Sequence, residues 1–176
     1  MNIKVRSLGI SNYQDTWEAM KNFVSSNPKN DEIWITEHYP IYTVGLNKKG
    51  INLPINKNIE TINVDRGGKI TYHGPGQLII YTMINTKKNC ISIRQLVTIL
   101  EQSVIHLLNK LGVKSFAKKD APGVYINNSK IASIGLRLKD GFTYHGLSLN
   151  INMDLGPFKS IDPVSYTHLR AHETVA

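Results

Sequence analysis

Apolar residues recur in two stretches with the spacing of a buried helix face. In the first, Trp17, Met20 and Val24 fall three or four residues apart, which places them on one side of a helix. Ser11, with Gln14 three positions on, reads as a capping box at its start. In the second, Leu96, Leu100, Leu107 and Leu111 follow the matching pair Ser92 and Gln95, and Gly112 closes the run. Glycine suits the left-handed turn that ends helices. Both stripes are expected to be core.

Other stretches are rich in Ile, Val, Tyr and Thr and read as strands: 33–38, 41–45, 78–84, 123–127, 130–138 and 142–151. In the run KIASIGLRL, Ala132, Ile134, Leu136 and Leu138 alternate with Ile131, Ser133, Gly135 and Arg137, so the two sets face opposite ways. Asn127-Asn128-Ser129 and Lys139-Asp140-Gly141 are turn signals, and 123–151 reads as a three-stranded meander. Strands outnumber helices without regular alternation. That predicts one α+β domain, a mixed sheet with helices packed on one side.

Composition changes this picture little. The chain has 176 residues, 41% hydrophobic and 19% charged, as expected of a globular domain with its own core. No apolar run approaches the ~20 residues that span a bilayer. The N-terminus lacks the apolar core of a signal peptide, so no membrane role and a cytoplasmic place are expected. Cys90 is the single cysteine, which excludes an internal disulfide and a cysteine-rich zinc site. The net charge is +8, but the lysines lie scattered or in short pairs, and no nucleic-acid partner is expected.

The chemistry gathers around a repeat. Thr-Tyr-His-Gly occurs at 71–74, inside RGGKITYHGPGQ, and again at 143–146, inside DGFTYHGLSLNINMDLGPF. Pro75-Gly76 has the signature of a type II turn, and glycines let backbone N–H groups approach a ligand. The stretch matches neither the P-loop nor the dinucleotide fingerprint. His73 and His145 have no third ligand at metal-binding spacing, so no metal is expected. Cys90 lies just before a helix, where a thiol can be activated; a small buried residue is the reading preferred here.

RGGKITYHGPGQLIIY, DAPGVYINNSKIASIGLRL and FTYHGLSLNINMDLGPFKSIDP resemble, in that order, three blocks of the lipoyl(octanoyl) transferases. The resemblance implies the α+β fold of the biotin and lipoate protein ligases. It implies that an octanoyl group passes from acyl carrier protein, through a cysteine thioester, to a lysine on lipoyl domains. Those domains belong to 2-oxoacid dehydrogenases and the H protein of glycine cleavage. No metal or nucleotide cofactor is implied, and a monomer is expected. Lys130 maps to the lysine that lowers the thiol pKa and moves protons. Arg66, Gly67, Gly68, Lys69, Ile70, Thr71, Tyr72 and His73 map to substrate binding, as do Ser133, Ile134, Gly135, Gly146, Leu147 and Ser148. Both protein partners tend to be acidic, which a basic surface favours.

After Ser160-Ile161-Asp162-Pro163, where the family carries its cysteine, this chain has Val164. The last thirteen residues contain no Ile, Lys or Asn, although the preceding chain is rich in all three. Residues 1–163 are therefore expected to form the catalytic domain, with 164–176 foreign to it and the chain inactive as it stands. Two rivals remain: a lipoate or biotin ligase or amidotransferase relative, and a non-catalytic acyl-binding protein.

Overall fold

Asn12, rather than Ser11, starts the first helix. Its side chain accepts hydrogen bonds from the backbone of Gln14 and Asp15. Ser11 instead ends a strand, and its hydroxyl bonds Thr16 and Thr36. The computed structural model describes residues 3–54, 57–127 and 129–161. In chain order these form β1 (Ile3–Ser11), α1 (Tyr13–Ser25), β2 (Asp31–His38), β3 (Ile41–Val44), β4 (Glu60–Asn63) and β5 (Ile70–His73). There follow β6 (Gln77–Met83), α2 (Ile93–Lys110), β7 (Phe116–Ala117), β8 (Gly123–Ile126), β9 (Ser129–Lys139) and β10 (Phe142–Asn150). A 3-10 helix over Gly156–Ser160 comes last.

Seven strands form one sheet in the order β1-β2-β6-β10-β9-β8-β7, with β1 and β2 parallel and the other neighbours antiparallel. The remaining three form a second sheet, β4-β3-β5. The mixed α+β architecture and the β8–β9–β10 meander agree with the sequence reading. Asp140 and Gly141, both at positive φ, make the tight turn between β9 and β10. Gln77 donates its backbone N–H to the Gly74 carbonyl across the Pro75-Gly76 turn.

The helices do not share one side of the sheet. Along β6, Ile79, Tyr81 and Met83 pack with Met20 and Val24 of α1. Ile84 with the partly buried Leu78 and Ile80 packs against Leu96, Leu100, Val104 and Leu108 of α2. Strand alternation sends these two sets to opposite faces, so each helix covers its own. The α2 capping box forms as read, and Gly112 turns at positive φ. Leu107 and Leu111, however, are exposed, and Val104 and Leu108 are core in their place. Each residue rotates a helix by about 100°, so Leu107 lies off the line through Leu100, Val104 and Leu108. Ile131 likewise joins Ala132 in the α2 cluster, because β9 gains an extra residue where its register with β8 shifts.

The small sheet adds a third layer beside α1. Tyr42, Val44, Ile70 and Tyr72 pack with Met153 and Ile161. The alternate residues Thr43, Thr71 and His73 are left facing the large sheet. Among the described residues, no helix is long and apolar enough to cross a membrane.

Candidate functional site

The two sheets meet at a cleft. One wall is β5 and the loop before it: Arg66, Gly67, Gly68, Thr71 and His73. The other is the middle of the large sheet: Ser133 to Gly135 of β9, His145 to Ser148 of β10, and Ile79 and Tyr81 of β6. Tyr13, at the start of α1, completes the lining. The non-atom space, open solvent at the mouth included, is about 440 Å³. The Gly67 N–H donates to the Leu136 carbonyl at 3.1 Å and so clips the loop onto β9.

Arg66 is a buried cation of this wall. Its guanidinium donates to the Thr43 carbonyl at 2.7 Å, to the Thr43 hydroxyl and to the Gly67 carbonyl. His73 sits beside it. Gln77 uses its amide nitrogen on acceptors, including Asn150 Oδ1, so its Oε1 accepts from His73 Nδ1 at 2.7 Å. Burial, with smaller contributions from His38 and Arg66, pushes the His73 pKa down to about 3. It is a neutral imidazole with its proton on Nδ1.

Behind His73, His38 gives its Nδ1 proton to the Ser11 carbonyl and accepts from Tyr81 Oη at 2.6 Å. Burial lowers its pKa to about 4. Burial likewise holds the Tyr81 and Tyr13 hydroxyls well above their ordinary values. These groups are neutral, with His38 and Tyr81 bonded to each other and the Tyr13 ring packed on both histidines.

His145 is held differently. It takes φ +60° in the middle of β10, a rare conformation for a residue with a Cβ. Its Nε2–H donates to Asp65 Oδ1 at 2.9 Å. Asp65 also accepts from Trp17 Nε1 at 2.9 Å and from Tyr144 Oη. Burial alone would raise the Asp65 pKa, but the hydrogen bonds from His145, Tyr144 and Trp17 outweigh it and hold the carboxyl well below the usual range. Burial lowers the pKa of His145 despite Asp65. The pair is therefore a carboxylate and a neutral imidazole. Nδ1 of His145 and Oγ1 of Thr71 are both buried without a hydrogen-bond partner among the described residues, and both residues line the cleft.

Of the residues expected to bind substrate, Arg66, Gly67, Gly68, Thr71, His73, Ser133, Ile134, Gly135, Gly146, Leu147 and Ser148 line this cleft. Lys69, Ile70 and Tyr72 do not. Ile70 and Tyr72 belong to the core on the far face of the small sheet, as alternation along β5 requires. Lys130 stands apart from the lining, three residues along β9 from Ser133. It is buried on the strand, and its Nζ donates to the Pro122 carbonyl at 3.0 Å. Val164 lies outside the described residues. Cys90 is exposed on a turn and is not part of the cleft lining, so it is not the small buried residue that the sequence reading preferred. Tyr13, Tyr81 and Asp65 were not singled out from the sequence, and Trp17 was read only as part of a core stripe. The position of Asp65 beside Arg66-Gly67-Gly68 was the one local sign.

Chemically, the cleft offers a fixed cation, neutral imidazoles and a glycine-lined wall around a narrow slot. Backbone N–H groups along such a wall suit a developing oxyanion.

The family described as the lipoyl protein ligase A/B catalytic domain matches residues 12–173. An octanoyltransferase of Shewanella sp. (strain W3-18-1) is 45% identical over 176 residues, 99% of this chain and 81% of that protein. One of Buchnera aphidicola subsp. Acyrthosiphon pisum is 50% identical over 163 residues, 92% of this chain and 77% of that protein. Among solved structures, lipoate-protein ligase A bound with ATP superposes with a TM-score of 0.81 at 14% identity, over 97% of this chain and 76% of that one. Biotin protein ligase from Aquifex aeolicus, in complex with biotin and ATP, gives 0.58 at 15% identity, over 97% and 59%. At such identities the solved structures speak for the fold.

Proposed function

The chain belongs to the lipoyl protein ligase A/B catalytic-domain family, and on that premise we propose that its cleft holds the octanoyl group during protein lipoylation. The activity is that of an octanoyl acyltransferase. The donor is octanoyl-acyl carrier protein and the acceptor a lysine of a lipoyl domain. The enzyme works as a monomer in the cytoplasm.

The observation that carries this reading is the convergence of three separate glycine-bearing stretches on one cleft: residues 66–73, 133–135 and 146–148. An eight-carbon chain gains roughly 5 kcal/mol on leaving water, at ~0.8 kcal/mol per CH₂. The first step needs a thiolate that attacks the donor thioester carbonyl. The carrier's thiol leaves and takes a proton. The lipoyl-domain amine then attacks the enzyme thioester, forms the amide and regenerates the thiol. Lys130 is the cation that lowers the thiol pKa. Its own pKa is lowered to about 8 by burial, which Glu101 opposes and Lys118 reinforces. It stays mostly protonated at neutral pH and is still able to exchange a proton. Val164 has no nucleophilic atom, so this chain binds the acyl group without forming the acyl-enzyme.

The test is intact mass after incubation with octanoyl-acyl carrier protein. The chain as it stands is expected to gain nothing, and Val164→Cys to gain one octanoyl group that an apo lipoyl domain then removes. A stable octanoyl adduct on the unchanged chain would place the nucleophile elsewhere. An unmodified Val164→Cys chain would remove the cleft from the reaction.

A further inference from the structure

Glu101 is a buried acid in the middle of α2, on the stripe that includes Leu100, Val104 and Leu108. A carboxylate on a helix's core face is costly unless something in the interior uses its charge. Its Oε1 accepts from the Gly123 N–H at 2.9 Å. The neighbouring carbonyl, that of Pro122, accepts from Lys130 Nζ at 3.0 Å. One turn thus carries the acid on its amide and the lysine on its carbonyl. Gly123 makes room for this, because a Cβ there would stand 3.2 Å from Lys130 Cε and 2.4 Å from the Ala132 carbonyl.

We infer that Glu101 is a positioning residue for Lys130: it anchors the Pro122–Gly123 turn that receives the ammonium and supplies the negative charge that the ammonium faces. The inference rests on the reading of Lys130 given above for its consequence in catalysis, but not for the interaction itself. Three elements surround the ammonium. α2 brings Glu101. β8 brings the ring of Tyr125, whose centroid is 5.3 Å from Lys130 Nζ. The segment between β7 and β8 brings Lys118, whose Nζ lies 4.3 Å from the same centroid. Burial and Lys118 both favour loss of the Lys130 proton, while Glu101 opposes it. Without Glu101, two influences push in one direction with that opposition gone. The lysine would then lose the charge that a neighbouring thiolate needs.

Glu101→Gln separates charge from anchoring, because the amide oxygen still accepts from Gly123. In the full chain, the Lys130 Cε resonance is followed by NMR against pH. The proton dissociation constant of Lys130 is expected to rise about tenfold in Glu101→Gln, as for a charge lost in a partly screened interior. Glu101→Asp keeps the charge one methylene further back and is expected to give a smaller change of the same sign, which serves if the glutamine variant does not fold. An unmoved Lys130 titration in a folded variant overturns the inference. Iodoacetamide reactivity of Val164→Cys, with and without Glu101→Gln, then addresses the catalytic reading by itself. If Lys130 moves and the thiol profile does not, the positioning by Glu101 stands and the role assigned to Lys130 falls.

Discussion

The two Thr-Tyr-His-Gly stretches are identical in letters and unlike in structure. In the first, on β5, alternation is regular: Thr71 and His73 face the cleft and Tyr72 turns into the opposite core. In the second, on β10, Tyr144 and His145 are adjacent yet both reach Asp65, because His145 takes a left-handed backbone. Their rings stack at 4.9 Å. The threonines differ as well. Thr143 Oγ1 donates to the Thr82 carbonyl at 2.7 Å and accepts from the Ile84 N–H. Thr71 Oγ1 has no hydrogen-bond partner among the described residues. Both imidazoles arrive at one cleft by different routes. What pairs across the sheet, rather than the tetrapeptide itself, sets the backbone.

The two glycines offer the strongest way to break this comparison. A Cβ at Gly146 would stand 1.9 Å from the Ile80 carbonyl oxygen, a backbone atom in the middle of the sheet. Gly146→Ala is expected to cost more than about 4 kcal/mol or to prevent folding, measured by urea unfolding or by soluble yield. At Gly74 the obstacle is the Tyr72 side chain, its hydroxyl 2.3 Å and its Cζ 2.8 Å away, and no backbone atom stands in the way. Gly74→Ala is expected to cost about 1–2 kcal/mol. Equal losses from the two substitutions would refute the distinction.

Between these in size comes Asp65→Asn. An amide offers one oxygen and a competing NH₂ where three donors now converge, so about 2–3 kcal/mol is expected to be lost. His145 and Tyr144 should shift by NMR while His73 stays in place. The sign with pH follows from the depressed Asp65 pKa. Its contribution is present above the ordinary carboxylate pKa and is lost as pH falls below that value. The variant's deficit should therefore shrink in acid; a deficit independent of pH would argue against the carboxylate.

The smallest effect is a histidine titration. His73 has a folded pKa of about 3 against 6.5 for the free side chain. Because the folded value is the lower one, its contribution is present above 6.5 and is lost as pH falls toward 3. From pH 7 to pH 6 the loss is about 0.7 kcal/mol for such a group. His73→Gln should flatten the stability profile over that interval. His145→Gln should flatten it as well, because its folded pKa is also lowered by burial. A profile unchanged by His73→Gln would mean that the cleft tolerates a protonated first histidine.

Local chemistry decided much before any packing. The α2 capping box, the Gly112 stop, the turn at Asp140-Gly141 and the alternation of Ala132, Ile134 and Leu136 against Ser133 and Gly135 follow from nearest-neighbour geometry. The stretch RGGKITYHGPGQ stood out by its own glycines and turn residues, whereas residues 133–135 and 146–148 were legible through the resemblance to the lipoyl(octanoyl) transferases. Strand β1 was not, since its exposed pattern shows no buried period. Nor was the division of α1 and α2 between opposite faces, because a helix stripe states that a face is buried and not which face receives it. Tertiary structure alone brought Asp65 to Trp17, Tyr144 and His145, and Glu101 to the turn beneath Lys130. Asp65 lies 48 to 80 positions from its partners and Glu101 lies 22 from Gly123. A lone acid carries no periodic signal for such a distance. Closure of the two sheets brings Asp65 to its partners, the packing of α2 on the large sheet brings Glu101 to its own, and burial makes leaving such a charge unpaired costly.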